Sequence, residues 1–378
     1  MRTANGSPHK LKELIFGRIV KDKKPFWGRR KLILATGKPG QANIGYAANL
    51  SSFQPDSIFS PPGVYSLSLE DMNVFHDGDV VLVNPDGSIN FLWESAQLNN
   101  AFFLTSACNC ECLMCPQPPQ PHSPEHFAIS QAVLKLVDPG YSGEVCLTGG
   151  EPTLLGDKFI SFLGQCAQTL PEAYVIVLTN GKRFADFEFA SQVASLGLRQ
   201  LMICVSFHAD VDELHDRIAG GEGSFVLTQR GLHNLAKLGQ RIEIRCVVNR
   251  LNADRLAEIA WHIYRNYPFA DHVTFMALEM TGYAVKNKDE VWVDPLEYRD
   301  SLEEAVRCLH RGGIYVSVYN HPLCLVTPWT RSFARQSISA WKNSYLSCCQ
   351  GCSGISSCCG VFTTSGDQLS TNIKPIQK

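Results

Sequence analysis

Four cysteines crowd one short stretch of the chain, Cys108-Asn109-Cys110-Glu111-Cys112-Leu113-Met114-Cys115. Cys108, Cys112 and Cys115 stand in a C-x3-C-x2-C spacing. Three thiolates this close on one loop can hold three irons of a [4Fe–4S] cluster, and sulfur suits iron because both are soft. Such clusters usually take four cysteines. Three ligands leave one iron open, and an open position on a metal centre is where chemistry happens rather than scaffolding. The same stretch also allows a C-x-C-x2-C set of Cys110, Cys112 and Cys115. It allows as well a closed zinc or iron site with Cys110 as fourth ligand.

Two other segments carry chemistry. In Leu147-Thr148-Gly149-Gly150-Glu151-Pro152-Thr153, paired glycines let backbone approach a ligand without Cβ interference. Glu151 can accept hydrogen bonds, and Pro152 stiffens the strand exit. Alone, this segment reads as a glycine turn with a solvated glutamate. Near the far end, Cys349, Cys352 and Cys358 supply three more ligands, with Cys324 as the fourth. Cys348 and Cys359 sit beside them and leave the assignment open by one position. Four thiolates would close that site, as an auxiliary Fe–S cluster or a structural zinc. Cys146, Cys166, Cys204, Cys246 and Cys308 fall in expected strands or helices and read as buried small residues.

Elements must position these groups. Residues 1–98 look β-rich, with a hairpin expected where Pro85-Asp86-Gly87 parts two apolar runs. Weaker strands are expected over 31–35 and 45–50. From about residue 100, apolar β-branched runs alternate with amphipathic stretches. Strands are expected over 101–104, 144–147, 174–179, 200–207, 241–248, 272–276 and 314–319. Helices are expected over 130–136, 157–168, 184–195, 224–238, 253–267 and 295–311. Such βα units imply a parallel sheet with helices outside. The fold class is α/β: a partial (β/α)6 TIM-like barrel over 99–319, after an N-terminal β-rich domain and before a Cys-rich C-terminal extension, 320–378. A full barrel takes roughly 250 residues. Its active groups sit where strands end. The cysteine loop follows the first strand and Gly149-Gly150 the second, so both land on one rim. A helix is expected over 337–345.

Bulk properties exclude other classes. The 378 residues carry a formal charge of −2, with no sign of a nucleic-acid-binding surface. The basic stretch 21–31 is short and reads as a solvated edge. No apolar run approaches the roughly 18 residues of a membrane span, and residues 1–14 lack the apolar centre of a signal peptide. A cytoplasmic protein is expected, and in a reducing compartment fifteen cysteines point to metal rather than disulfides.

The C-x3-C-x2-C loop followed by Gly149-Gly150-Glu151-Pro152 resembles the radical S-adenosylmethionine (radical SAM) enzymes. The resemblance implies that the open iron binds the methionine end of SAM and that the Gly149–Pro152 segment holds its amino group. It places Thr179, Asn180, Ser206, Arg245 and Asn249 around SAM, with 278–282 approaching the adenine. Met114 stands where the family often has an aromatic residue. Four softer strings narrow the likeness: Asp77-Gly78-Asp79-Val80-Val81, Cys115-Pro116-Gln117-Pro118-Pro119, Leu278-Glu279-Met280-Thr281-Gly282-Tyr283-Ala284 and Ser337-Ile338-Ser339-Ala340-Trp341-Lys342-Asn343. Together they look like the radical SAM maturase of the His-Xaa-Ser peptide system (HxsC type). Cys359 departs from that pattern, where a second glycine is expected. The likeness implies a ribosomal peptide substrate, a second radical SAM protein as partner, and a reductant or electron-donor protein. Competing readings are a radical SAM enzyme acting on RNA or a small metabolite, and a non-catalytic Fe–S or zinc scaffold.

Overall fold

Apolar residues, many of them β-branched or aromatic, run through the short strands of the first hundred residues, which pair into one sheet. The computed structural model describes residues 2–21, 32–36, 46–54, 62–121, 123–336, 342–366 and 369–377. The first strands are β1 (Thr3–Asn5), β2 (Ser7–His9), β3 (Ile15–Val20), β4 (Leu32–Thr36), β5 (Ala48–Ser51) and β6 (Gly63–Tyr65). Helix α1 (Leu69–Val74), β7 (Val80–Val83) and β8 (Ser88–Trp93) follow. The strand order is β1-β8-β7-β3-β4-β5-β6-β2. β1 and β2 end this order yet are separated in sequence by Gly6 alone. One run of chain therefore supplies both edges, and the sheet closes on itself, which removes the exposed edge strands. A Cβ on Gly6 would lie 2.6 Å from the Tyr65 carbonyl oxygen, so the bend between β1 and β2 needs glycine. Ile19, Ile33, Leu50, Val64, Phe75, Val81 and Phe91 fill the core. The expected hairpin is present: β7 and β8 pair antiparallel, and Gly87 turns at φ +88°. Of the weaker strand expectations, Lys31 and Gly45 lie outside the described residues, as do residues 22–30 of the basic stretch.

The second sheet is the expected half-barrel. After β9 (Asn99–Phe103) come α2 (Pro124–Leu134), β10 (Glu144–Thr148), α3 (Asp157–Thr169), β11 (Tyr174–Thr179), α4 (Phe187–Ser195) and β12 (Leu201–Ser206). Then follow α5 (Asp212–Ala219), α6 (Ser224–Lys237), β13 (Ile242–Val248), α7 (Leu256–Asn266), β14 (His272–Ala277), α8 (Tyr283–Lys286), α9 (Lys288–Val291), α10 (Arg299–Arg311) and β15 (Tyr315–Tyr319). The two-residue β16 (Ala334–Arg335) ends a sheet ordered β16-β15-β14-β13-β12-β11-β10-β9. Pairs from β11 through β16 are parallel. The strands are nearly continuous buried runs, as in β13 with Ile242, Ile244, Cys246 and Val248, because helices cover such sheets.

Three expectations change. Helix α2 starts at Pro124, ahead of the expected 130, because proline suits the first turn. Helix α5 has no counterpart among the expected helices: half its residues are charged, with His215, Ile218 and Ala219 buried, so no apolar run marks it. The helix expected over 337–345 falls partly on residues 337–341, outside the described set. Its end forms instead β17 (Asn343–Ser344), antiparallel to β18 (Val361–Phe362). By contacts the chain divides into two compact units. One holds 1–102, 125–146 and 162–174; the other holds 103–124, 147–161 and 175–378. No helix among the described residues is long and apolar enough to cross a membrane.

Candidate active site

The cysteine loop is clamped at its start, middle and end, each time by glycine-bearing backbone. At its start, Gly150 N–H donates to the Thr105 carbonyl at 2.7 Å and Glu151 N–H to the Ala107 carbonyl at 2.8 Å. A Cβ on Gly149 would collide with Thr105 O, and one on Gly150 with Ala107 O. The approach to Cys108 runs beside these glycines. In the middle, Glu111 N–H reaches Gly220 O at 3.2 Å and Leu113 N–H reaches Ile218 O at 3.0 Å. Gly220 ends α5 at φ +61°, and a side chain there would strike Glu111 O. At the end, Tyr283 N–H donates to Cys115 O at 2.8 Å, and the Asn287 amide to Leu113 O at 2.9 Å. Gly282 makes room for Cys115 O. Met114 packs with Met280, Ile218 and Ala284.

Glu151 is buried, and its carboxylate takes four donors from this chain. They are Thr153 N at 3.0 Å, Thr153 Oγ1 at 2.6 Å, Thr179 Oγ1 at 2.9 Å and Asn180 N at 2.7 Å. Burial pushes its pKa up, against the pull of these bonds. Pro152 opens a 3-10 turn over Pro152–Leu155. Asn180 then reaches the loop, its Nδ2 donating to Asn109 Oδ1 at 2.7 Å. Thus Gly149, Gly150, Glu151, Thr179 and Asn180 gather beside Cys108.

The remaining rim residues have other neighbours. Ser206 ends β12 half-buried, opposite Arg245 in register. Arg245 is ion-paired with Glu243, which also meets His272 Nδ1 at 2.8 Å; His272 Nε2 meets Ser317 Oγ at 2.9 Å. Burial works against the Glu243 carboxylate, but the His272 hydrogen bond and the Arg245 charge hold its pKa at about 2. Asn249 is fully buried and serves its own turn, accepting from Leu251 N at 3.0 Å and donating to Val247 O at 3.2 Å.

Burial pushes the Cys108 thiol up to about 12 and those of Cys112 and Cys115 upward. Iron must therefore displace their protons on binding. Among the described residues no three ligand-type side chains converge tightly enough to grip a single metal ion. A four-iron cluster takes each thiolate on a different iron, so its sulfurs stand apart. The donor chemistry fits such a cluster: three soft thiols on one clamped loop, with the nearby Glu151 carboxylate already engaged.

The second cysteine group also assembles. Cys324, Cys349, Cys352 and Cys358 line one pocket, and neither Cys348 nor Cys359 does. Cys358 Sγ accepts Leu323 N–H and Gly360 N–H, each at 3.3 Å, and Cys352 Sγ accepts Ile376 N–H at 3.2 Å. A hydrogen bond from Cys359 holds the Cys358 thiol down to about 6 despite burial. Cys348 is exposed. Polar ties dock this tail on the rim: Lys342 Nζ to Glu279 at 2.7 Å, and Ser370 Oγ to Asp294 at 2.8 Å. Cys352→Ala is expected to empty this site of metal while Cys348→Ala leaves it filled, measured as metal per chain.

Buried histidines fix loops. His208 Nδ1 accepts Val247 N–H at 3.4 Å, and His215 Nδ1 accepts His208 N–H at 3.2 Å. His321 Nδ1 donates to Tyr319 O at 2.9 Å. Burial lowers His208 to about 3, and His215 and His321 to about 4. The unfolded chain binds protons that the fold refuses, so stability is full above about pH 6.5 and falls as pH drops toward 4. From pH 6.5 to 5.5 the three together cost about 3 kcal/mol. The urea midpoint should fall over that window, and less steeply in His208→Gln.

Gly220 and Asn287, which clamp the loop, carry no sequence motif, and Gly282 lies in the 278–284 string with no local sign of that contact. The glycines at positive φ were visible as glycines, but nothing local ties them to a segment so far away in sequence.

Parts of the chain are similar to known proteins. Residues 102–260 match the family model of the radical SAM superfamily, a stretch that includes the cysteine loop and Gly149–Glu151. The Fe-coproporphyrin III synthase of Methanosarcina barkeri is 25% identical over 228 residues, 58% of this chain and 54% of that protein. The AdoMet-dependent heme synthase of Oleidesulfovibrio alaskensis is 25% identical over 190 residues, 44% of this chain and 45% of that protein. The chain thus spans about half the length of these curated relatives. Among solved structures, Streptococcus suis SuiB bound to its precursor peptide SuiA is similar, at 16% identity and TM-score 0.46, over 60% of this chain and 49% of that one. Native anSMEcpe with bound AdoMet is similar at 17% identity and TM-score 0.42, over 58% and 63%. The family-model match falls on the half-barrel, from β9 to α7.

Proposed function

We propose that this chain is a radical SAM enzyme that modifies a ribosomally made peptide. The observation that carries the first part is the clamped loop, which presents Cys108, Cys112 and Cys115 at the rim of the half-barrel. These three residues would hold a [4Fe–4S] cluster by three of its irons. With SAM on the fourth iron, that cluster would supply the electron that cleaves SAM to methionine and a 5′-deoxyadenosyl radical. Gly149–Glu151 fix the loop's entry, and Asn180 its middle. Arg245, held in place by Glu243, supplies a cation suited to the SAM carboxylate. Ser206, opposite it in register, supplies a hydroxyl. Cys324, Cys349, Cys352 and Cys358 would hold an auxiliary [4Fe–4S] cluster, favoured over zinc by the radical SAM setting of the half-barrel.

The peptide assignment rests on the four softer strings of likeness to the His-Xaa-Ser maturase, as do a second radical SAM partner and an external reductant. The division into 1–98, 99–319 and 320–378 belongs to the same reading. A tetrapyrrole or other small metabolite is the second reading, favoured by the names of the two curated relatives. Anaerobic incubation with SAM, reductant and a His-Xaa-Ser repeat peptide tests the choice. A SAM-dependent change in peptide mass is the expected result. SAM cleavage with unaltered peptide would turn the assignment toward a metabolite. Zinc without sulfide, and no SAM binding, would leave a scaffold.

A further inference from the structure

Between the ligand positions Cys108 and Cys112, the residues Asn109 and Cys110 are held by side chains. Lys182 opens the 3-10 turn over Lys182–Ala185, just past the end of β11. Its Nζ donates to Asn109 O at 3.2 Å and lies 3.7 Å from Cys110 Sγ. Asn180 Nδ2 lies 3.5 Å and Ser224 Oγ 3.8 Å from the same sulfur. Cys110 itself is buried, 3% exposed. Among the described residues no carboxylate pairs with Lys182, whereas Arg245, Arg255 and Lys342 each have one.

We propose that Lys182 is the counter-charge of the cysteine loop: a positioning residue that holds Asn109–Cys110 and whose ammonium stabilises the added negative charge of the reduced, thiolate-bound cluster. This rests on the radical SAM reading of the loop. Thiolates carry negative charge, and one-electron reduction adds another. A fixed cation on the same loop favours the reduced state and so raises the cluster's potential. Lys182, Asn180 and Ser224 also engage the sulfur of this fourth thiol of the loop.

The test is a dithionite redox titration of the anaerobically reconstituted full chain without SAM, followed by electron paramagnetic resonance, with iron counted in parallel. Lys182→Met is expected to shift the reduction equilibrium about tenfold toward the oxidised cluster, ~59 mV for one electron. Lys182→Arg, which keeps the charge, should restore the wild-type potential. Lys158→Met, at an exposed lysine of α3, should leave it unmoved. Unchanged potential in an iron-replete Lys182→Met would overturn the proposal, as would equal shifts in the Met and Arg variants. Should Lys182→Met take up no iron while Lys182→Arg loads fully, the charge requirement stands. Neither variant loading would overturn it in favour of packing alone. A wild type that takes up no Fe–S cluster would instead sink the radical SAM reading itself.

Discussion

Cys112→Ala, reconstituted without oxygen, is expected to hold about four fewer irons per chain than wild type. Cys112 is a ligand position at the centre of the clamped loop, and its neighbours Met114, Met280 and Ile218 are apolar. Removing one small thiol from that setting costs about 1 kcal/mol, too little to unfold the half-barrel. The loss should therefore appear in iron, sulfide and visible absorption while circular dichroism stays put. Cys110→Ala is the matched control. Lys182, Asn180 and Ser224 surround its sulfur, so full iron is expected, and this separates the C-x3-C-x2-C set from the C-x-C-x2-C alternative. Iron lost with Cys110 and kept without Cys108 would reverse the assignment.

Glu151→Gln should destabilise the protein by about 3 kcal/mol, read as a lower urea midpoint with unchanged slope. One oxygen of Glu151 collects Thr153 and Thr179, and the other accepts Asn180 N–H at 2.7 Å. An amide in the same place turns two donors on each other at whichever end its nitrogen takes. Unpaired buried donors carry their full desolvation cost. The consequence extends beyond stability, because Asn180 leads directly to Asn109 in the cysteine loop. Lower iron loading should accompany the lower midpoint. A variant as stable and as iron-rich as wild type would show that the carboxylate is spent on a ligand rather than on the fold.

The chemistry was more legible in the sequence than the scaffolding that holds it. Cysteine spacing is local, so the groupings of Cys108, Cys112 and Cys115, and of Cys349, Cys352 and Cys358, stand out in the sequence. The structure puts Cys324 in the same pocket and leaves Cys348 outside it. The long apolar strands β11 to β15 were also legible, because a buried parallel sheet writes continuous hydrophobic runs. Helix α5 was not, since its few buried residues are spread among charges. Nor was the closure of the first sheet, which depends on Gly6 joining strands that pair with β8 and β6. The clamps were hidden for a related reason. Gly220 and Gly282 act through contacts with Glu111 and Cys115, and no local pattern announces a contact across so long a stretch of chain. Asn249 reads from sequence as a polar residue at a strand end, and in the fold its amide accepts from Leu251 N–H and donates to the Val247 carbonyl. Polar residues at strand ends carry both signals alike.

The most direct measurement is 5′-deoxyadenosine, detected by mass spectrometry after the anaerobically reconstituted and reduced protein meets SAM. Wild type should release the nucleoside, and Cys108→Ala/Cys112→Ala/Cys115→Ala should release none. Release from both, or from neither when iron, sulfide, peptide and reductant are all present, would contradict the account.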